Sequence, residues 1–281
     1  MFTMFRPRLR SRHPSHSVLR PTRKKLPLLP FKSIIRLGST TEIEGDRIEI
    51  NSVEAVKNSS NKFKMKSKFT ENGVITAEWW LIDFNEDGSF KFKNPISFDT
   101  VEYENISFPL VAKKFFGSRN EGNTLIKTLD ELEDYVENNQ NNNYLIEKFY
   151  NYTREYRIHV TENGYFYTCR KMLKRDTPSE QKWFRNDQHC VWITEENELF
   201  DKPVNWDLIV EHSVKALKAV GLDIGAVDLK IQSATNKEEE IRDNPKFIII
   251  EINSAPSFGS TTEKKYIEIL PELLKQKYEQ K

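Results

Sequence analysis

Cysteine is scarce: the 281 residues hold two, Cys169 and Cys190. That excludes a disulfide framework and a cysteine-built zinc site, and it makes a reducing, cytoplasmic setting the default. No apolar run approaches the roughly 20 residues that cross a bilayer. No segment repeats. Neither glycine fingerprint that opens a helix directly after a phosphate-binding loop is present, and there is no evident histidine phosphoacceptor motif. Acid is missing altogether from residues 1–30, where Arg6, Arg8, Arg10, Arg12, Arg20, Arg23, Lys24 and Lys25 stand. The rest of the chain keeps 35 of the 43 basic residues against all 42 acids, a net of −7. The leader is rich in Ser, Pro and His without hydrophobic periodicity, so it reads as a disordered basic arm. A plain tail, a nucleic-acid contact and a transit peptide are its three readings, in that order. Pro7, Pro14 and Pro21 would interrupt the amphipathic helix that the last requires.

What is present fits a soluble globular protein of one large or two ordinary domains, 37% hydrophobic and 30% charged. Lys32–Leu37 and Ile43–Ile50 read as short strands, the second with Gly45-Asp46 as its turn. Asn51 or Ser52 caps a helix over Val53–Lys57, and a second helix runs from Asn61 to Glu71. Residues 74–84 are extended, and 90–98 alternate like an edge strand. Phe108–Ile126 reads as strand, loop and strand. Thr128 caps an acidic helix, with Glu131 placed for a capping box. Tyr144–Phe149 is a strand, and Asn163-Gly164 turns a hairpin. Residues 205–221 form an amphipathic helix with Leu208, Ile209, Val214, Leu217 and Val220 on one stripe and Gly221 as its stop. Residues 224–232 are a strand, Asn236–Asn244 a charged loop. The terminal helix is expected to break at Pro271.

The sharpest signal is Phe247–Pro256, FIIIEINSAP. Side chains alternate along a strand, so Glu251 and Asn253 point one way and Ile252 back into the core. Either the strand end is simply wet, or a carboxylate and an amide oxygen hold a hard cation such as Mg²⁺. Asp228, in VDLK on the preceding strand, can face the same pocket if the two strands pair. An Asp and a Glu on adjacent strands are more often surface residues; Asn253 and the apolar flanks favour the metal. In Phe108–Ile126, one of Lys113 and Lys114 faces a pocket while the other is exposed. Gly117-Ser118-Arg119-Asn120-Glu121-Gly122 supplies a loop whose N–H groups suit phosphates. The tryptophans Trp79, Trp80, Trp183 and Trp192, with His159 and both cysteines, read as packing.

In this order the pieces resemble an ATP-grasp domain from about Asn51 to the C-terminus. The resemblance implies an α+β fold in which two subdomains grip a nucleotide. Residues 31–50 would be a reduced N-terminal segment, 51–147 the lead-in and phosphate-loop subdomain, and 148–281 the metal-binding subdomain. It implies ATP and two Mg²⁺ ions, with Asp228, Glu251 and Asn253 as ligands. Lys62 and Lys113 would meet phosphate together with Gly117, Ser118, Arg119 and Gly122. Glu147 and the backbone of Lys148 and Phe149 would meet adenine, and Glu155 the ribose. Arg157, Lys171, Arg185 and Asn186 would lie near the γ-phosphate and an acyl intermediate; for Arg157 a surface ion pair with Glu155 is the alternative. The implied activity is ATP-dependent joining of a carboxylate to an amine, from an amino acid, peptide or protein tail, with release of ADP and phosphate. A kinase on the same scaffold, or a non-catalytic nucleotide-binding protein touching nucleic acid through its arm, are the rivals. EINSAPSFGSTTEKKY and EYRIHV look closest to the peptide-glutamate ligases that act on a ribosomal protein, and to compact phage-encoded members, which would place the protein in a host cytoplasm. Asn120 stands where relatives often carry a third glycine.

Overall fold

In the computed structural model the described residues are 4–5, 32–117, 122–140, 143–185, 188–233 and 239–281. The eight basic residues of the expected arm lie outside them. Strand β1 (Met4–Phe5) pairs in parallel with β2 (Ser33–Arg36), which pairs in parallel with β3 (Ile48–Ile50). The turn expected at Gly45-Asp46 is there, with Gly45 at φ +104°, and the strand itself begins only after it, at Ile48. Asn51 does not cap the next helix. It sits buried at φ +62°, accepts from the Asp223 and Ile224 N–H groups, and donates to the Arg36 and Ile224 carbonyls. Asn tolerates that left-handed backbone. Ser52 is the cap of α1 (Val53–Ser60), accepting from the Ala55 N–H at 3.1 Å. The helix outruns the expected Lys57 by three residues, and Asn61 then caps α2 (Lys62–Glu71).

The chain next builds a six-stranded sheet from β4 (Trp79–Phe84), β5 (Phe90–Lys93), β6 (Thr100–Val101), β7 (Leu110–Lys114), β8 (Asn123–Ile126) and β9 (Tyr144–Lys148), in the order β6-β5-β4-β9-β7-β8. The expected edge strand over 90–98 stops at Lys93 and lies one place in from the edge. Asn94 ends it, its side chain accepting from the Ile96 and Ser97 N–H groups in an Asx turn. Helix α3 (Leu129–Glu137) crosses from β8 to β9. Thr128 caps it as expected, but the Glu131 carboxylate reaches the N–H of Lys127 rather than that of the cap itself.

A five-stranded antiparallel sheet follows, made of β10 (Arg154–Thr161), β11 (Gly164–Leu173), β12 (Cys190–Thr194), β13 (Ile224–Ile231) and β14 (Phe247–Asn253) in the order β12-β11-β10-β13-β14. The β10–β11 hairpin turns at Asn163-Gly164 as expected. Helix α4 (Trp206–Val220) ends at Gly221, φ +80°. Its buried stripe is Trp206, Ile209, His212, Ser213, Ala216, Leu217 and Val220, whereas Leu208, expected inside, is 41% exposed. The charged loop before β14 contains a short helix, α5 (Glu239–Asp243). Helix α6 (Ser260–Glu279) runs unbroken through Pro271. Pro271 lies on its exposed face and deprives the Ile267 carbonyl of its donor; Ile267 is 58% exposed, so water can take that place. No described helix is long and apolar enough to cross a membrane.

Three cores hold these layers. Helices α1 and α2 precede the six-stranded sheet in the chain yet pack with α4 under the five-stranded one, where Met65 and Phe69 meet Ile158, Val227 and Ile249. A second core lies between the six-stranded sheet and α3. A third joins β2, β3 and α6 around Tyr266 and Leu270. Each of these large side chains contributes about 1.5–3 kcal/mol by leaving water.

Candidate functional site

Strict alternation along β14 would put Ile249 and Glu251 on one face. Ile249 is fully buried in the core. The structure resolves the conflict with a β-bulge: Asp228 pairs with Glu251 and Leu229 with Ile249, leaving Ile250 as the extra residue. The bulge reverses the phase, so Ile252 returns to the core while Glu251 and Asn253 face away from it. The same face of β13 carries Asp228, and β10 presents Arg157 opposite it.

Arg157 grips Asp228 with two parallel bonds, Nε to Oδ1 at 2.7 Å and Nη2 to Oδ2 at 2.8 Å. Its guanidinium lies over the Trp192 ring, 4.9 Å from the centroid. Burial pulls the Arg157 pKa down, and Asp228 more than reverses it, so the group stays charged. The expected alternative, a surface pair with Glu155, does not form. Both members of the actual pair are largely buried, with side chains 14% and 13% exposed. Asn253 Nδ2 donates to Asp228 Oδ2 at 3.3 Å and to Glu251 Oε1 at 3.2 Å. The two carboxylates therefore converge on one point. Among the described residues no cluster of three His, Cys, Asp or Glu side chains could hold a metal. Two carboxylates with an amide remain, a hard-oxygen set that fits Mg²⁺ once Asn253 turns its Oδ1 inward.

The next row across the sheet holds Lys171, Glu155 and Lys230 in register. Arg185 joins them from the β11–β12 connection, its Nη1 3.6 Å from Glu155 Oε2. Lys171 donates to the Arg185 carbonyl, and Arg185 to that of Thr153. Burial raises the Glu155 pKa, opposed by Lys230, Lys171 and Arg185. Burial lowers that of Lys230 to about 8, opposed by Glu155. Lys230 also donates to the Trp183 carbonyl at 3.2 Å and stands 5.9 Å from the Phe149 ring. Sequence reasoning missed it, although a residue two places after Asp228 on one strand must share its face.

The six-stranded sheet supplies the opposite wall. Lys113 Nζ bonds Glu147 Oε2 at 2.6 Å, and Lys66 Nζ lies 2.9 Å from Glu147 Oε1. The Glu147 carboxylate, expected beside a base, is thus held between two lysines and is 4% exposed. Burial pushes its pKa up, but Lys113 and Lys66 more than offset that and it ends below the ordinary value. The Lys148 and Phe149 N–H groups donate to the Glu78 and Pro109 carbonyls at 2.9 and 3.1 Å. Lys62 Nζ donates to the Gly117 carbonyl at 2.9 Å. Its pKa is lowered by burial and raised in turn by Glu251. Gly122 sits at φ +79°, which favours glycine, and a Cβ there would meet Lys114 Cδ at 2.8 Å and push that side chain aside. Ser118, Arg119 and Asn186 lie outside the described residues. Lys66 was missed as well; its signal was its position four residues after Lys62, on the same helix face.

The two sheets act on one another, Glu147 and Lys113 on Lys230, and Glu251 acts on Lys62 and Lys66 of α2. Seven cations (Lys62, Lys66, Lys113, Arg157, Lys171, Arg185, Lys230) and four carboxylates (Glu147, Glu155, Asp228, Glu251) make up this group. Cations exceed carboxylates by three, in a chain that is acidic outside its leader.

No family model and no curated protein matches the chain. Solved structures do. The D-alanine–D-alanine ligase of Coxiella burnetii aligns over 89% of this chain and 69% of its own at a TM-score of 0.58 and 15% identity. The ATP-grasp ligase PsnB, complexed with minimal precursor, aligns over 84% and 65% at 0.52 and 14%. The chain has the ATP-grasp fold. A third neighbour, the carboxyaminoimidazole ribonucleotide synthase of Aspergillus clavatus complexed with ATP, aligns over 79% at 0.52 and 16%, and this chain spans about half of its length, 53%.

Proposed function

We propose that the protein is an ATP-dependent carboxylate–amine ligase. The observation that carries the reading is the cluster of charged side chains between the two sheets. Its cation excess suits a polyphosphate, and Asp228, Glu251 and Asn253 converge at one end of it. In this reading residues 148–281 form the metal-binding half and 51–147 the phosphate-loop half, after a reduced segment at 31–50. Cys169 and Cys190 are buried and neither forms a disulfide, in keeping with a reducing cytoplasm.

The reaction has two steps. A substrate carboxylate attacks the γ-phosphorus of ATP, forming an acyl phosphate and expelling ADP. An amine then attacks the acyl carbon, an amide forms, phosphate departs and the amine loses a proton to solvent. No protein nucleophile is needed, so the chain contributes position and charge. Lys113, held by Glu147, and Lys62, beside Gly117, neutralise phosphate oxygens. Arg157 and the Arg185–Lys171 pair face the transferred group and the acyl oxygen. Mg²⁺ bound at Asp228, Glu251 and Asn253 would screen the triphosphate and polarise the transferred phosphoryl group.

The test is ADP and phosphate release from MgATP, with pools of amino acids and peptides added or withheld. Substrate-dependent ADP release together with a new amide mass is the expected result. ADP formation with a phosphorylated product instead of an amide would make the protein a kinase. Binding of MgATP without turnover in any pool would leave a nucleotide-binding protein.

A further inference from the structure

Lys66 is 1% exposed on α2 and faces no solvent that would repay its charge. Two partners hold its ammonium: Glu147 Oε1 at 2.9 Å, and Thr76 Oγ1 at 2.5 Å. Each partner leads further. Through its other oxygen Glu147 holds Lys113 of β7. Thr76 Oγ1 donates to the Ile249 carbonyl at 2.7 Å, and the Ile249 N–H donates to the Ile75 carbonyl at 2.8 Å. Ile249 is the residue before the bulge that turns Glu251 out of the core. A chain of polar contacts thus runs from Lys113, through Glu147, ion-paired Lys66 and Thr76, to the backbone of Ile249, two residues before Glu251. Its two ends sit on different sheets.

We propose that Lys66 is a positioning residue that ties the lysine facing the phosphates to the strand carrying the metal-binding glutamate, so that nucleotide and metal are gripped at one fixed spacing. The inference rests on the nucleotide-binding reading above. Its chemical logic is the cost of each alternative. A buried lysine needs a partner, and a buried carboxylate between two lysines cannot release either cheaply. Burial holds the Lys66 pKa down at about 8, opposed by Glu147, so near neutral pH the ammonium persists and the link stays closed. Packing alone would be served by methionine, which is equally long and carries no charge to bury. Lys66 touches no substrate in this scheme and acts through Lys113 and Glu251.

The link makes a demand that simple packing does not. Mg²⁺ should tighten ATP binding through it, and cutting it should uncouple the two. The experiment is calorimetric titration of the full-length protein with ATP in Mg²⁺ and in EDTA, on wild type, Thr76→Val, Thr76→Ser, Lys66→Met, Lys113→Met and the Lys66→Met/Lys113→Met double variant. Thr76→Val keeps shape and loses the hydroxyl, so it tests the link even if Lys66→Met folds poorly. Thr76→Val and Lys66→Met should each weaken MgATP by about tenfold, the worth of one charged hydrogen bond. ATP in EDTA should change by less than about twofold, and Thr76→Ser should restore the wild-type value. In the Lys113→Met background Lys66→Met should add nothing, because the two act as one unit. Equal losses with and without Mg²⁺, or unchanged MgATP affinity in Thr76→Val, would overturn the inference while nucleotide binding stands. A wild type that binds no MgATP would overturn the nucleotide reading, and the inference with it.

Discussion

Asp228 and Glu251 look equivalent in the sequence, but their surroundings separate them. Asp228 accepts two bonds from buried Arg157, while the described hydrogen bond to Glu251 comes from the Asn253 amide. Glu251→Gln should therefore lower turnover by about 10²–10³-fold with little loss of stability. Asp228→Asn should lower turnover equally and also cost about 3 kcal/mol, because it strands a buried cation. ADP release and urea midpoints on both variants check this; equal stabilities would remove the structural share assigned to the Arg157 pair. His159 gives a pH dependence of known sign. It is 1% exposed, its Nδ1 lies 3.1 Å from the Tyr266 hydroxyl, and burial, with Arg157 adding, pushes its pKa to about 3. The unfolded chain takes up that proton near pH 6.5 and the folded one does not. Stability from this group is complete above that value and is lost as pH falls toward 3, by about 2 kcal/mol between pH 7 and 5. His159→Phe/Tyr266→Phe should flatten that part of the urea-midpoint profile relative to wild type, and an unchanged slope would exonerate His159.

At the scale of elements, the sequence was most readable where one local rule decides. The capped helices and the Asn163-Gly164 hairpin were legible for that reason. It misled where a distant contact outvotes the rule. Alternation placed Glu251 and Asn253 together, yet it could not show that the β14 bulge is needed to reconcile them with Ile249. Nothing in FIIIEIN marks Ile250 as the residue left over. The Arg157–Asp228 pair spans 71 residues and two strands, and so was invisible from spacing alone. Pro271 is the opposite case, a strong local rule overridden. Tyr266 and Leu270 on one side and Leu273 and Leu274 on the other all enter the same core, and their burial carries α6 through the proline. The missing hydrogen bond remains a cost. Pro271→Ala should raise stability by about 1–2 kcal/mol, the helix gain less the added freedom of the unfolded chain. A lower urea midpoint in that variant would mean that the helix relies on the proline.

At the scale of the molecule, the charged cluster belongs to neither sheet. Its cations come from both walls, its convergent carboxylates from one, and α2 reaches both, through Lys66 on one side and Met65 and Phe69 on the other. A ligand that bridges such a cluster binds only the assembled pair, so it must stabilise the whole. At a hundred times its Kd, MgATP should add about 2.7 kcal/mol, which for a chain of this size raises Tm by about 5–10 °C. Glu251→Gln should lose most of that rise at the same MgATP concentration, because its Kd is weaker there, while its ligand-free Tm stays near that of wild type. Hydrogen exchange should show the protection on β7 and β9 as well as on β13 and β14. Protection confined to one sheet would mean that the nucleotide docks on a wall and that the two halves do not close on it together.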